Sequence, residues 1–132
     1  MIFVDTSVWV TYFRGRDPRL ADTLERLLDD DQVGLAAPVR LELLGGASAA
    51  SHSSLRRSLA ALPVFYPTRD TWSLVDRWVE RAVARGERFG MGDLLIGAIA
   101  AERGSPIWSL DHDFARLARL KLLKLFSPPR SH

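Results

Sequence analysis

The chain predicts a single α/β domain with a central, mostly parallel sheet. Two observations carry this. Short apolar runs, at 2–4, 33–36 and 107–110, alternate with segments of helical periodicity, the order that parallel strands with helical crossovers require. No internal repeat or linker interrupts the 132 residues, a length that suits one domain with a real core. The domain is expected over residues 1–126, with 127–132 as a disordered C-terminal tail.

Residues 2–5 read as a buried strand running directly into a short helix, Ser7–Phe13. Gly15 and Asp17-Pro18 break that helix. Asp17 caps the next one, with Pro18 at its first position, and Leu20, Leu24, Leu27 and Leu28 keep helical spacing to about Asp29. A strand follows at 33–36, and Pro38 opens a helix through Leu44 that Gly45-Gly46 ends. Ser48–Ser54 reads as a mobile connection or a frayed helix start, Leu55–Ala61 as helix, and Pro63–Tyr66 as a short extended segment. Thr68 caps a long helix reaching about Arg85. Gly86 and Gly90 lead to a helix at 91–103, which Gly104 ends. A strand at 106–110, a helix at 112–119 and a last strand at 121–126 complete the reading.

Composition narrows the function. No run approaches the roughly 18 apolar residues of a membrane span. The N-terminus carries Asp5 and no basic region, so no signal peptide is expected. The absence of cysteine excludes disulfides, thiolate metal sites and cysteine nucleophiles, and fits a cytoplasmic protein. Net charge is only +2, yet the pI is about 9.5, and of eighteen basic residues only Lys121 and Lys124 are lysines. Much of the acidic count is concentrated in one set of positions, so the remaining surface is basic enough to suit nucleic acid. A biased genome would enrich arginine equally well.

That acidic set is the informative feature. Asp5 ends the run Ile2-Phe3-Val4. Glu42 lies one helical turn beyond Pro38, Asp93 opens the segment Met91–Arg103, and Asp111 closes Ile107–Leu110 with Asp113 two residues later. In an open α/β sheet, strand carboxyl ends and neighbouring helix starts line one crevice. Carboxylates gathered there repel by roughly 4 kcal/mol per pair at about 4 Å and an effective dielectric near 20. They must take up protons or hold a cation, and an oxygen-only donor set suits Mg²⁺, with Mn²⁺ as a substitute. Each acid alone has an ordinary alternative: Asp5, Asp111 and Asp113 as helix caps, Asp93 as a first-turn acid, Glu42 as a solvated partner of an arginine. The set is stronger than its members, because independent caps need not converge. Thr6, Ser7 and Ser109 stand where hydroxyls would orient the carboxylates.

Between 72 and 88, Trp72, Val75, Val79, Ala82 and Val83 are expected on one helix face, with Arg77, Arg81, Arg85 and Arg88 opposite. The arginine stripe leads toward Asp93 and is placed either to grip phosphates or simply to be solvated. Trp9 and Trp108 sit in apolar segments and read as core. His52, His112 and His132 share no spacing, so no histidine-based catalytic pair is expected. A haloacid-dehalogenase phosphatase would want an aspartate where Ser7 stands. A receiver domain would want an early acidic pair and a lysine. Gly45-Gly46 has no following lysine, so there is no P-loop.

Four segments in order, Phe3-Val4-Asp5-Thr6-Ser7-Val8-Trp9, Val39-Arg40-Leu41-Glu42-Leu43-Leu44-Gly45, Met91-Gly92-Asp93-Leu94-Leu95-Ile96-Gly97-Ala98 and Ser109-Leu110-Asp111-His112-Asp113-Phe114, span nearly the whole chain. Together they resemble the PIN-domain ribonucleases, most closely the VapC toxins of type II toxin–antitoxin systems. Ser109 departs from the threonine more usual there but keeps the hydroxyl. The resemblance implies a three-layer α/β/α sandwich, an acidic quartet of Asp5, Glu42, Asp93 and Asp111 that holds metal and performs catalysis, and Asp113 as an auxiliary acid. It also implies a homodimer, and a small VapB-like antitoxin whose C-terminal segment wraps the toxin in a heterotetramer or larger assembly. The expected reaction is Mg²⁺-dependent hydrolysis of RNA to 5′-phosphate and 3′-hydroxyl ends. A catalytically silent module binding RNA or an antitoxin–operator complex is the alternative, and a metal-dependent phosphatase or DNA nuclease a third.

Overall fold

The computed structural model describes residues 1–129. The order is β1 (Ile2–Val4), α1 (Thr6–Arg14), α2 (Pro18–Asp29), β2 (Val33–Ala36), α3 (Ala37–Gly46), α4 (His52–Leu59), β3 (Val64–Phe65), α5 (Arg69–Ala84), α6 (Met91–Glu102), β4 (Ile107–Trp108) and α7 (His112–Arg119). The four strands form one parallel sheet in the order β3-β2-β1-β4, flanked by the helices as a three-layer sandwich requires. Phe3 is the pivot of the register, opposite Gly34 on one side and Ile107 on the other. From β1 the chain builds outward to β2 and β3, then returns to place β4 on the other side of β1. The strand order therefore reverses between β1 and β4, and ligands in open α/β sheets bind at the carboxyl ends of such a pair. Asp5 and Ser109 follow those two strands directly.

The core is formed where the strands and helices supply apolar faces together. Phe3, Val4, Val33, Leu35, Ile107 and Trp108 of the sheet are buried with Val8 and Trp9 of α1, Leu24 of α2, Val39 of α3 and Phe114 and Leu117 of α7. Helix α6 is buried nearly all round through Leu94, Ile96, Gly97, Ala98, Ile99 and Ala100, because it is packed by α3 and α5 as well as by the sheet. Its closest approach is at Gly97. A Cβ there would stand 2.8 Å from Leu123 Cδ2 and 3.1 Å from the Trp78 ring. Gly97→Val is expected to lower stability by about 1–3 kcal/mol through overpacking, read as a lower urea midpoint with an unchanged slope.

Four expectations are corrected. The α5 face that packs inward is Thr71, Val75, Trp78 and Ala82, while Trp72, Val79 and Val83 are exposed. The helix is rolled so that Trp78 fills the notch at Gly97 and Thr71 completes a capping box with Thr68. Helix α3 continues through both glycines to Gly46, and α4 begins at His52 rather than Leu55. The expected strand at 121–126 is reduced to one parallel bridge, Ile107 to Leu125, because Lys121 turns the chain in the left-handed region. Ser127–Pro129 forms no regular element, and Pro128 and Pro129 lie by Trp108 and Leu110; residues 130–132 of the expected tail are outside the described residues. No described helix is long and apolar enough to cross a membrane.

Candidate functional site

Asp5 is the buried floor of the crevice, only 5% exposed. Its backbone N–H continues the β1–β4 ladder to the Trp108 carbonyl at 2.9 Å, which fixes it beside the end of β4. Its Oδ2 accepts three hydrogen bonds: from the Ser7 N–H at 3.3 Å, the Ser7 hydroxyl at 2.8 Å and the Ser109 hydroxyl at 2.8 Å. The hydroxyls are themselves oriented, because Ser7 Oγ accepts from the Leu110 N–H and Ser109 Oγ from the Asp111 N–H, each at 2.9 Å. Asp5 thus caps α1, and the same contacts tie the end of β1 to the loop that carries Asp111. Capping and site-building are one arrangement here. Oδ1 takes none of these bonds.

Above that floor, Asp93, Asp111 and Asp113 each offer an oxygen within 4.8 Å of the others. Asp93 comes from the first turn of α6; Asp111 caps α7, accepting the Asp113 N–H at 2.9 Å, so the two α7 acids share one helix start. A helix N-terminus favours an anionic side chain. Asp93 is nevertheless pushed up to about 7, first by burial, then by the charges of Asp111, Asp5 and Asp113, with a hydrogen bond to Asp113 adding to them. Without a cation, this acid is part-protonated at neutral pH.

Glu42 stands at the rim. It is exposed, and its Oε2 accepts from the Thr6 hydroxyl at 3.0 Å. A Cβ at Gly92 would lie 3.6 Å from Glu42 Oε1, which puts the glutamate against the start of α6. Among the described residues Glu42 joins no ion pair, so the solvated Arg–Glu pairing that its sequence context allowed is not formed. The structure therefore gathers Asp93, Asp111 and Asp113 tightly, with Asp5 beneath and Glu42 beside Thr6. Asp113, expected as an auxiliary acid, lies within the same 4.8 Å grouping as Asp93 and Asp111. Arg77, Arg81, Arg85 and Arg88 are exposed, as is His112. Sequence reasoning missed Arg116, Glu87 and Phe89, which brace Asp113; the three-residue spacing of Asp113 and Arg116 was the available signal. A groove of about 610 Å³ opens beside Glu42, lined among others by Val10, Phe13, Arg14, Leu43 and Leu55.

The PIN domain family model matches residues 2–120, which take in the sheet and all five acids. Over 96% of this chain and 98% of its own length, VapC ribonuclease Mb1587 of Mycobacterium bovis is 33% identical. Ribonuclease VapC32 of Mycobacterium tuberculosis is 35% identical over 84% of this chain and 85% of its own. In fold, the chain is similar to VapBC2 from Rickettsia felis bound to a DNA fragment from its promoter, with a TM-score of 0.80, 19% identity and coverage of 96% and 98%. The chain belongs to the PIN-domain family and, within it, to the VapC ribonucleases.

Proposed function

We propose that this chain is the toxin of a type II toxin–antitoxin pair, a divalent-metal-dependent endoribonuclease that cuts RNA to 5′-phosphate and 3′-hydroxyl ends. The carrying observation is the convergence of Asp93, Asp111 and Asp113 over the buried Asp5. The donor set fits Mg²⁺ or Mn²⁺: it is all carboxylate oxygen, and Asp93 is raised to about 7 first by burial and then by the neighbouring charges of Asp111, Asp5 and Asp113, both of which a bound cation would offset.

When bound, such an ion would supply Lewis-acid chemistry, lowering the pKa of water and offsetting the negative charge that develops on the phosphate and the leaving 3′-oxygen. The residues that would hold it are Asp5, Asp93 and Asp111, with Asp113 in the same shell and Glu42 completing it or orienting the attacking water. Thr6 fixes one oxygen of Glu42, leaving the other toward α6. Ser7 and Ser109 hold the Asp5 carboxylate in a single orientation. Attack by water needs no 2′-hydroxyl and no histidine, in keeping with a site that contains neither a histidine pair nor a cysteine.

The exposed Arg77, Arg81, Arg85 and Arg88 lie on α5 and on the segment that leads into α6, and we place the RNA backbone there. Arg77→Ala/Arg81→Ala is expected to weaken RNA binding and to flatten the plot of log affinity against log salt by about 0.7 for each phosphate no longer neutralised. An unchanged slope would leave this face merely solvated.

The partner is a VapB-like antitoxin, its C-terminal segment in the groove beside Glu42, on a cytoplasmic homodimer assembled into a heterotetramer or larger. Two proteins of similar fold, VapBC2 from Rickettsia felis with promoter DNA and DNA-bound VapBC from Salmonella typhimurium, support that partnership. The deciding experiment is cleavage of total RNA by antitoxin-free protein with Mg²⁺, Mn²⁺ or EDTA. Discrete fragments with 5′-phosphates, abolished by EDTA, are expected. A 2′,3′-cyclic phosphate product would overturn the mechanism, and metal-loaded protein that binds RNA without cutting would point to the silent module.

A further inference from the structure

Arg116 sits one turn along α7 from Asp113. Its Nη1 donates to Asp113 Oδ1 at 2.9 Å, and its Nη2 donates to the Glu87 carboxylate and to the Arg88 carbonyl, the latter at 3.1 Å. The guanidinium carbon lies 4.4 Å from the centroid of the Phe89 ring. The arginine side chain is only 23% exposed, and its two ion pairs are the only ones among the described residues. A guanidinium stacked on a ring and donating from both arms has little freedom left.

Asp111 caps α7 and Asp113 lies in its first turn, whereas Asp93 belongs to α6, which begins two residues after Phe89. Arg116 is the side chain that joins α7 to the segment 87–89 leading into α6. It therefore links the two elements whose separation sets the spacing of the three acids. Its bond to Asp113 Oδ1 also restrains the carboxylate that belongs to the cluster. Charge neutralisation does not explain the arrangement, because Glu87 already balances the guanidinium. A free arginine here would compete with a cation for Asp113; one pinned between Glu87, the Arg88 carbonyl and Phe89 cannot swing over the site.

We infer that Arg116 is a positioning residue for the cation site, fixing the rotamer of Asp113 and the distance between the α6 and α7 acids. The inference rests on reading the triad as a cation site. It makes shape, rather than charge, the property that matters: lysine keeps the charge but has neither the planar fork nor the stacking surface.

The test is Mn²⁺ binding to the full chain, followed by the decrease of the free-Mn²⁺ paramagnetic resonance signal, for wild type, Arg116→Lys and Arg116→Gln. Both variants are expected to bind Mn²⁺ about 10- to 100-fold more weakly, lysine no better than glutamine. RNA cleavage in both should shift to higher Mn²⁺ and recover toward the wild-type plateau, which general unfolding would not produce. If Arg116→Lys does not fold, Glu87→Ala takes its place: it unpins one side of the guanidinium and should weaken Mn²⁺ binding likewise. Wild-type affinity in folded Arg116→Lys, or in Glu87→Ala where that is used, would overturn the inference. Wild type that binds Mn²⁺ without cutting RNA would remove the ribonuclease reading and leave Arg116 to be judged on binding alone. Wild type that takes up no Mn²⁺ would overturn both.

Discussion

Asp93→Asn is expected to abolish RNA cleavage and, in the absence of metal, to raise the melting temperature at pH 8. The first effect follows from losing a central donor of the triad. Several kcal/mol of charge stabilisation in the transition state corresponds to a rate loss of about a thousandfold or more. The second follows from the same crowding. Asp93 is raised from 3.8 to about 7, by burial first and then by Asp111, Asp5 and Asp113. A carboxyl whose folded pKa exceeds its unfolded value contributes stability below about pH 4 and loses that contribution as pH rises through about 7. Metal-free wild type should therefore soften between pH 4 and 8, whereas the asparagine variant escapes this component. The two proteins should melt alike near pH 4.5 and diverge at pH 8, with the variant higher. Mn²⁺ should stabilise wild type at pH 8 and the variant far less, since binding to the folded state alone adds stability by mass action. Melts at both pH values, with EDTA or Mn²⁺, check all of this. A variant that still cuts, or that melts below wild type at pH 8 in EDTA, would contradict it.

This opposition between stability and activity explains how the acids were legible in the sequence. A charge directly after the apolar run Ile2-Phe3-Val4 is hard to account for by packing, and Asp111 closes a second such run, Ile107–Leu110, of which Ile107 and Trp108 are buried. What the sequence could not supply is strand order. Asp5 and Asp111 approach because β4 returns to the free side of β1, a consequence of right-handed crossovers and core packing rather than of either local segment. Asp113 comes beside Asp111 for a local reason: its N–H bonds the Asp111 carboxylate, so both acids stand at the same helix start. The roll of α5 was misread because Trp72 and Trp78 are equally apolar, and only the notch at Gly97, nineteen residues further along than Trp78, selects between them. The last strand failed because an apolar run says nothing of Lys121 at a φ of 61°. Arg116 was the costliest omission. On a helix surface an Asp–Arg pair three apart is ordinary, and only the tertiary contacts with Glu87 and Phe89 distinguish it.

Removing both hydroxyls beneath Asp5 should have the second large effect. In Ser7→Ala/Ser109→Ala the buried carboxylate keeps one donor of its three, the backbone N–H at position 7. Hydrogen bonds to a charged group contribute about 1.5–3 kcal/mol each, and a buried charge stripped of partners is among the larger single penalties, so a loss of about 3–5 kcal/mol is expected. The same hydroxyls accept the N–H groups of Leu110 and Asp111, so their removal also loosens the loop that carries Asp111. Cleavage should fall by about 10- to 100-fold even in the fraction that stays folded. Two controls separate hydroxyl chemistry from packing. Ser109→Thr keeps the donor and should stay near wild type in stability and rate. In an Asp5→Asn background the double alanine change should be much milder, because an amide in place of the carboxylate carries no charge to strand; a double-mutant cycle by urea denaturation measures that coupling. Equal penalties in the two backgrounds would show that Ser7 and Ser109 serve the backbone of the loop and not the carboxylate, and the floor of the site would then owe its order to the β1–β4 ladder alone.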